Sequence, residues 1–250
     1  MPLDTGQDQD RLAALQILEG ASPAERLQAL RDAVPGRIVF TTSFGIEDQA
    51  LTHIIFSEKL KIDVVTLDTG RLFPSTYQVW AETEDKYARR IRAFYPNQDD
   101  VAAMVADAGI NGFYHSKEAR LSCCHVRKVE PLGRALAGAE AWVTGLRADQ
   151  SGNRAAIDFA SWDDERQLIK IAPLFDWTRE RVADFCTEHA VPINELHAKG
   201  FLSIGCAPCT RALQPGEPER AGRWWWETED AKECGLHVGA DGKLVRRKAA

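Results

Sequence analysis

No apolar run in the 250-residue chain approaches the roughly 20 residues that a membrane-spanning helix needs. The first ten residues, MPLDTGQDQD, lack the basic start and apolar stretch of a secretory signal. There is no excess of positive charge. Thirty-one basic against 37 acidic side chains leave a net charge of −6, which removes any electrostatic case for duplex nucleic acid or an anionic membrane as partner. There is no internal repeat and no low-complexity tract. These absences lead to the expectation of a cytoplasmic globular protein with neither nucleic acid nor membrane as partner. In that compartment six cysteines are not expected to form structural disulfides, and clustered ones read as metal ligands or reactive thiols.

What is present is an ordinary core-forming composition, 44% hydrophobic, and a length that suits one large α/β domain with an extension. "ASPAERLQALRDA" predicts a helix with Ser22 as N-cap, Pro23 in the first turn and Glu25 closing a capping box. Buried strands are expected in "RIVFTTSFG", "KIDVVTLDTG", "IRAFYP", "EAWVTGLR" and "RQLIKIAPL", with helical segments between them. The stretch from Lys117 to Ala137 is helix-compatible and expected to break at Pro131. This alternation predicts a doubly wound, mostly parallel sheet of about five strands. Ligands of such sheets bind at the carboxyl ends of the strands. Three polar turns fall there: "TSFGIED", "LDTGRLF" and "TGLRADQSGNR". The regular pattern fades after Pro192. The organisation expected is N-terminal helices over residues 1–36, an α/β unit over 37–200, and a C-terminal functional extension over 201–250.

The cysteines carry the strongest chemistry. Cys123 and Cys124 are adjacent, and an adjacent pair makes a strained disulfide. Cys206 and Cys209 form C-A-P-C, whose spacing aims two sulfurs at one point. Together they offer four thiolates. A structural zinc uses such donors, although it is usually built from two spaced pairs. A redox pair would leave Cys123 and Cys124 without a role. An iron–sulfur cluster spreads its ligands over several irons, so neighbouring cysteines can each take a different one. On donor chemistry alone, zinc and a cluster both remain open. Cys186, in "ADFCTEH", reads as a buried small hydrophobe. Cys234, in "KECGLH", lies in a polar stretch where a thiol would be accessible.

Anion-binding pieces accompany them. Gly45 opens a strand–turn–helix entry whose backbone N–H groups can face an anion. Asp68, Thr69 and Arg71 end the second strand, and Arg147 and Arg154 follow the fourth. Arg220 and Arg223 are spaced to share a face if helical. Each arginine alone is more simply a solvated charge, but the planar guanidinium suits phosphate or sulfate. Trp224 to Trp226 read as packing, with partner docking as the alternative.

Taken in order, "SFGIED", "LDTGRLFPSTY", "CCHVRKVEPL", "VTGLRADQSGNRA", "GCAPCT", "GEPERAGRWWWE" and "KECGLH" resemble the assimilatory adenylyl-sulfate (APS) reductases, relatives of the PAPS reductases. The resemblance runs from residue 43 to 237. It implies an adenine-nucleotide α-hydrolase-like fold, related to the PP-loop ATP pyrophosphatases. It implies a 4Fe–4S cluster on Cys123, Cys124, Cys206 and Cys209, and Cys234 as nucleophile. Lys128, Arg220 and Arg223 would contact the phosphosulfate, and Ser43, Phe44, Gly45, Leu67, Asp68, Thr69, Gly145 and Arg147 would line the nucleotide pocket. Phe44 replaces the first glycine of the related SGGxDS turn and is expected to close part of the pyrophosphate cradle. Arg120 stands where some members have histidine, and an anion contact is the role expected of it. The implied activity is reduction of APS to sulfite and AMP, with thioredoxin or glutaredoxin as electron donor. The alternatives are a PAPS reductase and a zinc-stabilised nucleotide-binding module without catalysis. The chain is also expected to act as a homo-oligomer.

Overall fold

A computed structural model describes residues 5–16, 18, 20–150 and 157–227. The chain opens with two helices, α1 (Thr5–Gln16) and α2 (Pro23–Ala33). The capping box forms as the sequence predicts: Glu25 N donates to Ser22 Oγ at 3.3 Å, and Ser22 N donates to Glu25 Oε2 at 2.7 Å. Arg26 pins α2 to the rest of the molecule. Its guanidinium is fully buried, pairs with both oxygens of Asp176 at 2.7 Å and lies over the rings of Phe159 and Phe175.

The elements that follow are β1 (Arg37–Thr42), α3 (Ile46–Ser57), β2 (Asp63–Leu67), α4 (Pro74–Tyr87), β3 (Arg92–Phe94) and α5 (Gln98–Ala108). Then come α6 (Lys117–Cys124), α7 (Glu130–Leu136), β4 (Ala139–Val143), β5 (Ala160–Asp163), β6 (Leu168–Ile171) and α8 (Arg179–Glu188). The strands form one sheet in the order β3-β2-β1-β4-β6-β5. All pairs are parallel except β5 with β6. Both faces are covered, so alternate residues of one strand enter different cores: Ile38 and Phe40 pack in the larger one, Val39 in the smaller. No helix among the described residues is long and apolar enough to cross a membrane.

Two local expectations change. The sheet has six strands rather than about five, because the short segment Ala160–Asp163 pairs antiparallel with β6 at the sheet edge. The helix is not broken at Pro131. It continues through a π turn, His125–Val129, into α7, where Pro131 occupies the first turn. A proline inside a helix lacks its N–H and its ring crowds the carbonyl four residues back. The wider π turn just before Pro131 relieves that conflict, and such turns are frequent at functional sites. Here the turn carries Arg127 and Lys128.

Candidate active site

The chain winds outward from β1 to β2 and β3, then crosses back to β4 on the other side of β1. That reversal between β1 and β4 leaves a crevice at the carboxyl ends of the strands. The main cavity lies there, lined by Thr42 and Ser43 at the end of β1, Leu67 and Thr69 at the end of β2, and Thr144 and Gly145 after β4. The turn after β1 folds on itself: the backbone N and the hydroxyl of Ser43 both donate to Asp48 Oδ2 at 2.6 Å. Gly45 is the N-cap of α3, and no side chain caps it, so no side chain takes up the first-turn N–H groups. Gly145, after β4, lets the backbone approach this turn closely: a Cβ there would collide with the Asp48 carboxylate and displace it.

Lys128, Arg220 and Arg223 bring positive charge to the same cavity. Successive turns, rather than a helix, present the two arginines, and Arg223 is held by an antiparallel bridge to Thr210. The Arg223 guanidinium stacks 4.6 Å from the Trp224 ring centroid and donates to Ile204 O at 3.3 Å. Its buried Nε has no hydrogen-bond partner among the described residues.

A second, smaller cavity adjoins the first. Cys123 and Cys124 end α6, Cys206 and Cys209 flank a tight turn, and all four line this space. Lys128 lines both cavities. Thr69 Oγ1 lies 3.3 Å from Cys206 Sγ, and Thr69 O accepts from Arg127 at 2.6 Å, so the turn after β2 is tied to the cysteines. Burial alone would raise the Cys206 thiol; Lys128, the Thr69 hydroxyl, Arg223 and Arg127 outweigh it and pull the thiol below its usual value. Cys209 is pushed up to about 11 by burial and by Cys206. Among the described residues, no group of three or more His, Cys, Asp or Glu side chains is arranged to hold a single metal ion. Four free thiols around one cavity are a donor set that a zinc ion or an iron–sulfur cluster can use.

Residues 37–212 match the model of the phosphoadenosine phosphosulfate reductase domain. The chain belongs to this reductase family. A relative named adenosine 5'-phosphosulfate reductase, from Agrobacterium fabrum, is 54% identical over 234 residues, 94% of this chain and 90% of that protein. Another of that name, from Allochromatium vinosum, is 54% identical over 200 residues, covering 80% of this chain and 78% of its own. Among solved structures, the phosphoadenylyl-sulfate (PAPS) reductase of Candida auris, in a phosphate complex, superposes with a TM-score of 0.69 at 27% identity. It covers 80% of this chain and 96% of that one.

Within this reductase fold several residues take other positions than expected. Phe44 has a left-handed backbone (φ 59°), and its ring turns into the core against Trp80, centroids 5.4 Å apart. The side chain therefore does not close a phosphate cradle. Asp68 accepts from Gly70 N at 2.9 Å and from the Tyr77 hydroxyl at 2.8 Å; it shapes its turn rather than lining the cavity. Arg147 is fully buried and does not line the cavity either. It pairs with Glu47 at 3.0 Å, Asp149 at 3.2 Å and Glu219 at 2.8 Å. Glu47 and Glu219 do line the cavity, so Arg147 acts through the carboxylates it positions.

Arg120 lines the cysteine cavity rather than the crevice at the strand ends. Its buried guanidinium forms two bonds with Glu227, at 2.8 and 2.7 Å, and lies 4.6 Å from the Trp224 ring centroid. Two guanidiniums thus lie against the Trp224 ring, Trp226 packs against Tyr114, and Trp225 is exposed. Removing one partner of a buried pair strands the other charge. Arg120→Ala and Glu227→Ala are each expected to lower unfolding free energy by about 3–5 kcal/mol, and an apolar pair at both positions to recover most of it, measured by urea titration.

Cys186 is the buried packing residue expected, its thiol pushed up to about 12 by burial. Cys234, with its neighbours Lys232, Glu233, Gly235 and His237, lies outside the described residues, as does Arg154. Sequence reasoning missed Glu47, Arg179, His197 and Glu219. The only signal for Glu219 was an acid beside Arg220, and a lone histidine at 197 carried none.

Proposed function

We propose that the protein reduces adenosine 5'-phosphosulfate to sulfite and AMP, using a 4Fe–4S cluster on Cys123, Cys124, Cys206 and Cys209 and Cys234 as nucleophile. The observation that carries this reading is Lys128, which lines both the cysteine cavity and the cavity of the strand ends, together with Arg220 and Arg223 on the latter. One construction then holds the metal group and the anion. The two curated relatives named above support the substrate, since both carry the name of a reductase of APS rather than PAPS. Residues 37–200 serve as the nucleotide-binding unit, and 201–250 add cations, two cysteines and the nucleophile.

In this mechanism the nucleoside lies along Leu67, Thr69 and Gly145, with the Ser43–Gly45 turn beside the phosphate. Lys128, Arg220 and Arg223 hold the phosphosulfate oxygens. The Cys234 thiolate attacks the sulfate sulfur; a sulfur–sulfur bond forms, the anhydride S–O bond breaks, and AMP leaves with its charge balanced by the three cations. A thiolate of thioredoxin or glutaredoxin then attacks Cys234 Sγ and expels sulfite. The donor's second thiol resolves the mixed disulfide and frees Cys234. Both electrons come from that dithiol. When bound, the cluster supplies order to the Cys123–Lys128 segment and a local electrostatic field.

The test is sulfite release from APS and from PAPS by anaerobically purified protein with reduced thioredoxin, alongside iron and sulfide analysis. Turnover of APS in preference to PAPS, with iron and sulfide near four per chain, is expected. Preference for PAPS would overturn the substrate assignment. One zinc per chain without sulfide would overturn the cluster.

A further inference from the structure

His197 lines the main cavity, and nothing in the mechanism above uses it. It sits in a short turn, Glu195–Lys199, fixed at its start by Asn194, whose side chain caps Leu196 N at 3.1 Å. Its Nδ1 lies 2.9 Å from Phe201 O and 3.3 Å from an Arg179 nitrogen. The two contacts require opposite roles of Nδ1. The carbonyl can only accept and is the closer partner, so Nδ1 carries the proton and Arg179 is a neighbour rather than a donor to the ring. The other nitrogen, Nε2, is then a bare acceptor. It is buried and has no hydrogen-bond partner among the described residues. Burial, then Arg179, lower the ring's pKa below its usual value, which keeps it neutral near pH 7.

Resting on the reading that this cavity takes an adenosine nucleotide, we propose that His197 is a substrate-contacting residue whose Nε2, covered in the cavity wall, is opened as substrate binds and accepts a hydrogen bond from a donor on the nucleoside. The phosphosulfate is excluded as partner because its ionised oxygens are acceptors, and they have Lys128, Arg220 and Arg223. The wall near His197 is instead acceptor-rich, with Glu47 and Glu219 on the same cavity. Donors on an adenosine nucleotide are the ribose hydroxyls and the exocyclic amine. A buried acceptor left unpaired is costly, so a ligand donor that reaches it gains affinity.

The experiment measures binding of AMP, 2'-deoxy-AMP, 3'-deoxy-AMP and purine riboside 5'-monophosphate, which lacks the amine, by calorimetry on the full chain. His197→Asn keeps an N–H for Phe201 O but removes the Nε2 acceptor; His197→Phe keeps the ring volume. Both variants should bind AMP about 3–10-fold more weakly, the weight of one hydrogen bond. The one analogue lacking the partner group should bind wild type and variants alike, and which analogue it is identifies that group. Unchanged AMP affinity, or an equal loss for all four ligands, overturns the inference and leaves His197 a purely structural residue. Wild-type protein that binds no AMP overturns the functional reading instead, and this inference with it.

Discussion

Replacing Cys234 by serine is expected to abolish sulfite release while leaving iron and sulfide content unchanged. Both halves of the proposed reaction need sulfur at that position. A serine hydroxyl is un-ionised near neutral pH and is a far weaker nucleophile than a thiolate, so the first attack stalls. Even an O-sulfo enzyme would be a dead end, because a dithiol reduces the intermediate by attacking divalent sulfur. The cysteines proposed as metal donors are Cys123, Cys124, Cys206 and Cys209, which line the small cavity, and the substitution leaves all four in place. A single-turnover mixture of wild-type protein and APS without dithiol should gain the mass of one SO₃ group, and the variant should gain none. Full activity in Cys234→Ser would sink the mechanism.

Replacing Arg147 by methionine, which keeps length but not charge, should be the most damaging single change to the fold around the cavity. Arg147 is fully buried among three carboxylates, two of which, Glu47 and Glu219, are nearly buried themselves. Burial, then the neighbouring Glu47, already hold the Glu219 carboxyl above its usual value, with Arg147 opposing. Without the guanidinium, two desolvated like charges face each other, a loss of about 3–5 kcal/mol by analogy with other broken buried pairs. The pH dependence follows from the sign of the shift. A carboxyl whose folded pKa lies above its unfolded one costs stability at neutral pH, and that cost is relieved as pH falls through the folded value. The stability gap between wild type and Arg147→Met should therefore narrow below neutral pH, and Glu219→Gln in the methionine background should recover part of it at pH 7. A gap constant from pH 5 to 8 would show that the carboxylates are not the source.

Much of this architecture was legible in the chain because its signals are local. The capping box at Ser22 and Glu25 needs only a span of four residues. The polar turns at Ser43, Asp68 and Gly145 announce themselves where an apolar run stops. Strand β5 did not, because "ASWD" is half polar and becomes a strand only through its ladder with β6. Nor did the helix through Pro131, where the π turn resolves a conflict that local rules read as a break. Arg147 is the clearest case. In the sequence, an arginine after a strand looks the same whether it meets a ligand or a carboxylate. Its partners, Glu47 and Glu219, lie 100 and 72 residues away.

By itself, then, the sequence determined the alternation of strands and helices, the glycine turns and the supply of four thiols and several guanidiniums, since residue type and short-range periodicity specify these. Tertiary structure decided which guanidinium faces the cavity and which is consumed within the protein. Arg220 and Arg223 reach the crevice beside the Lys128 ammonium, while Arg26 and Arg147 are locked onto Asp176 and the Glu47–Glu219 pair, and Arg120 onto Glu227 at the edge of the cysteine cavity. The physical reason is burial. A cation removed from water needs a partner, and whether that is a carboxylate, as for Arg147, or a backbone carbonyl, as for Arg127, depends on how the elements cross, most of all at the reversal between β1 and β4.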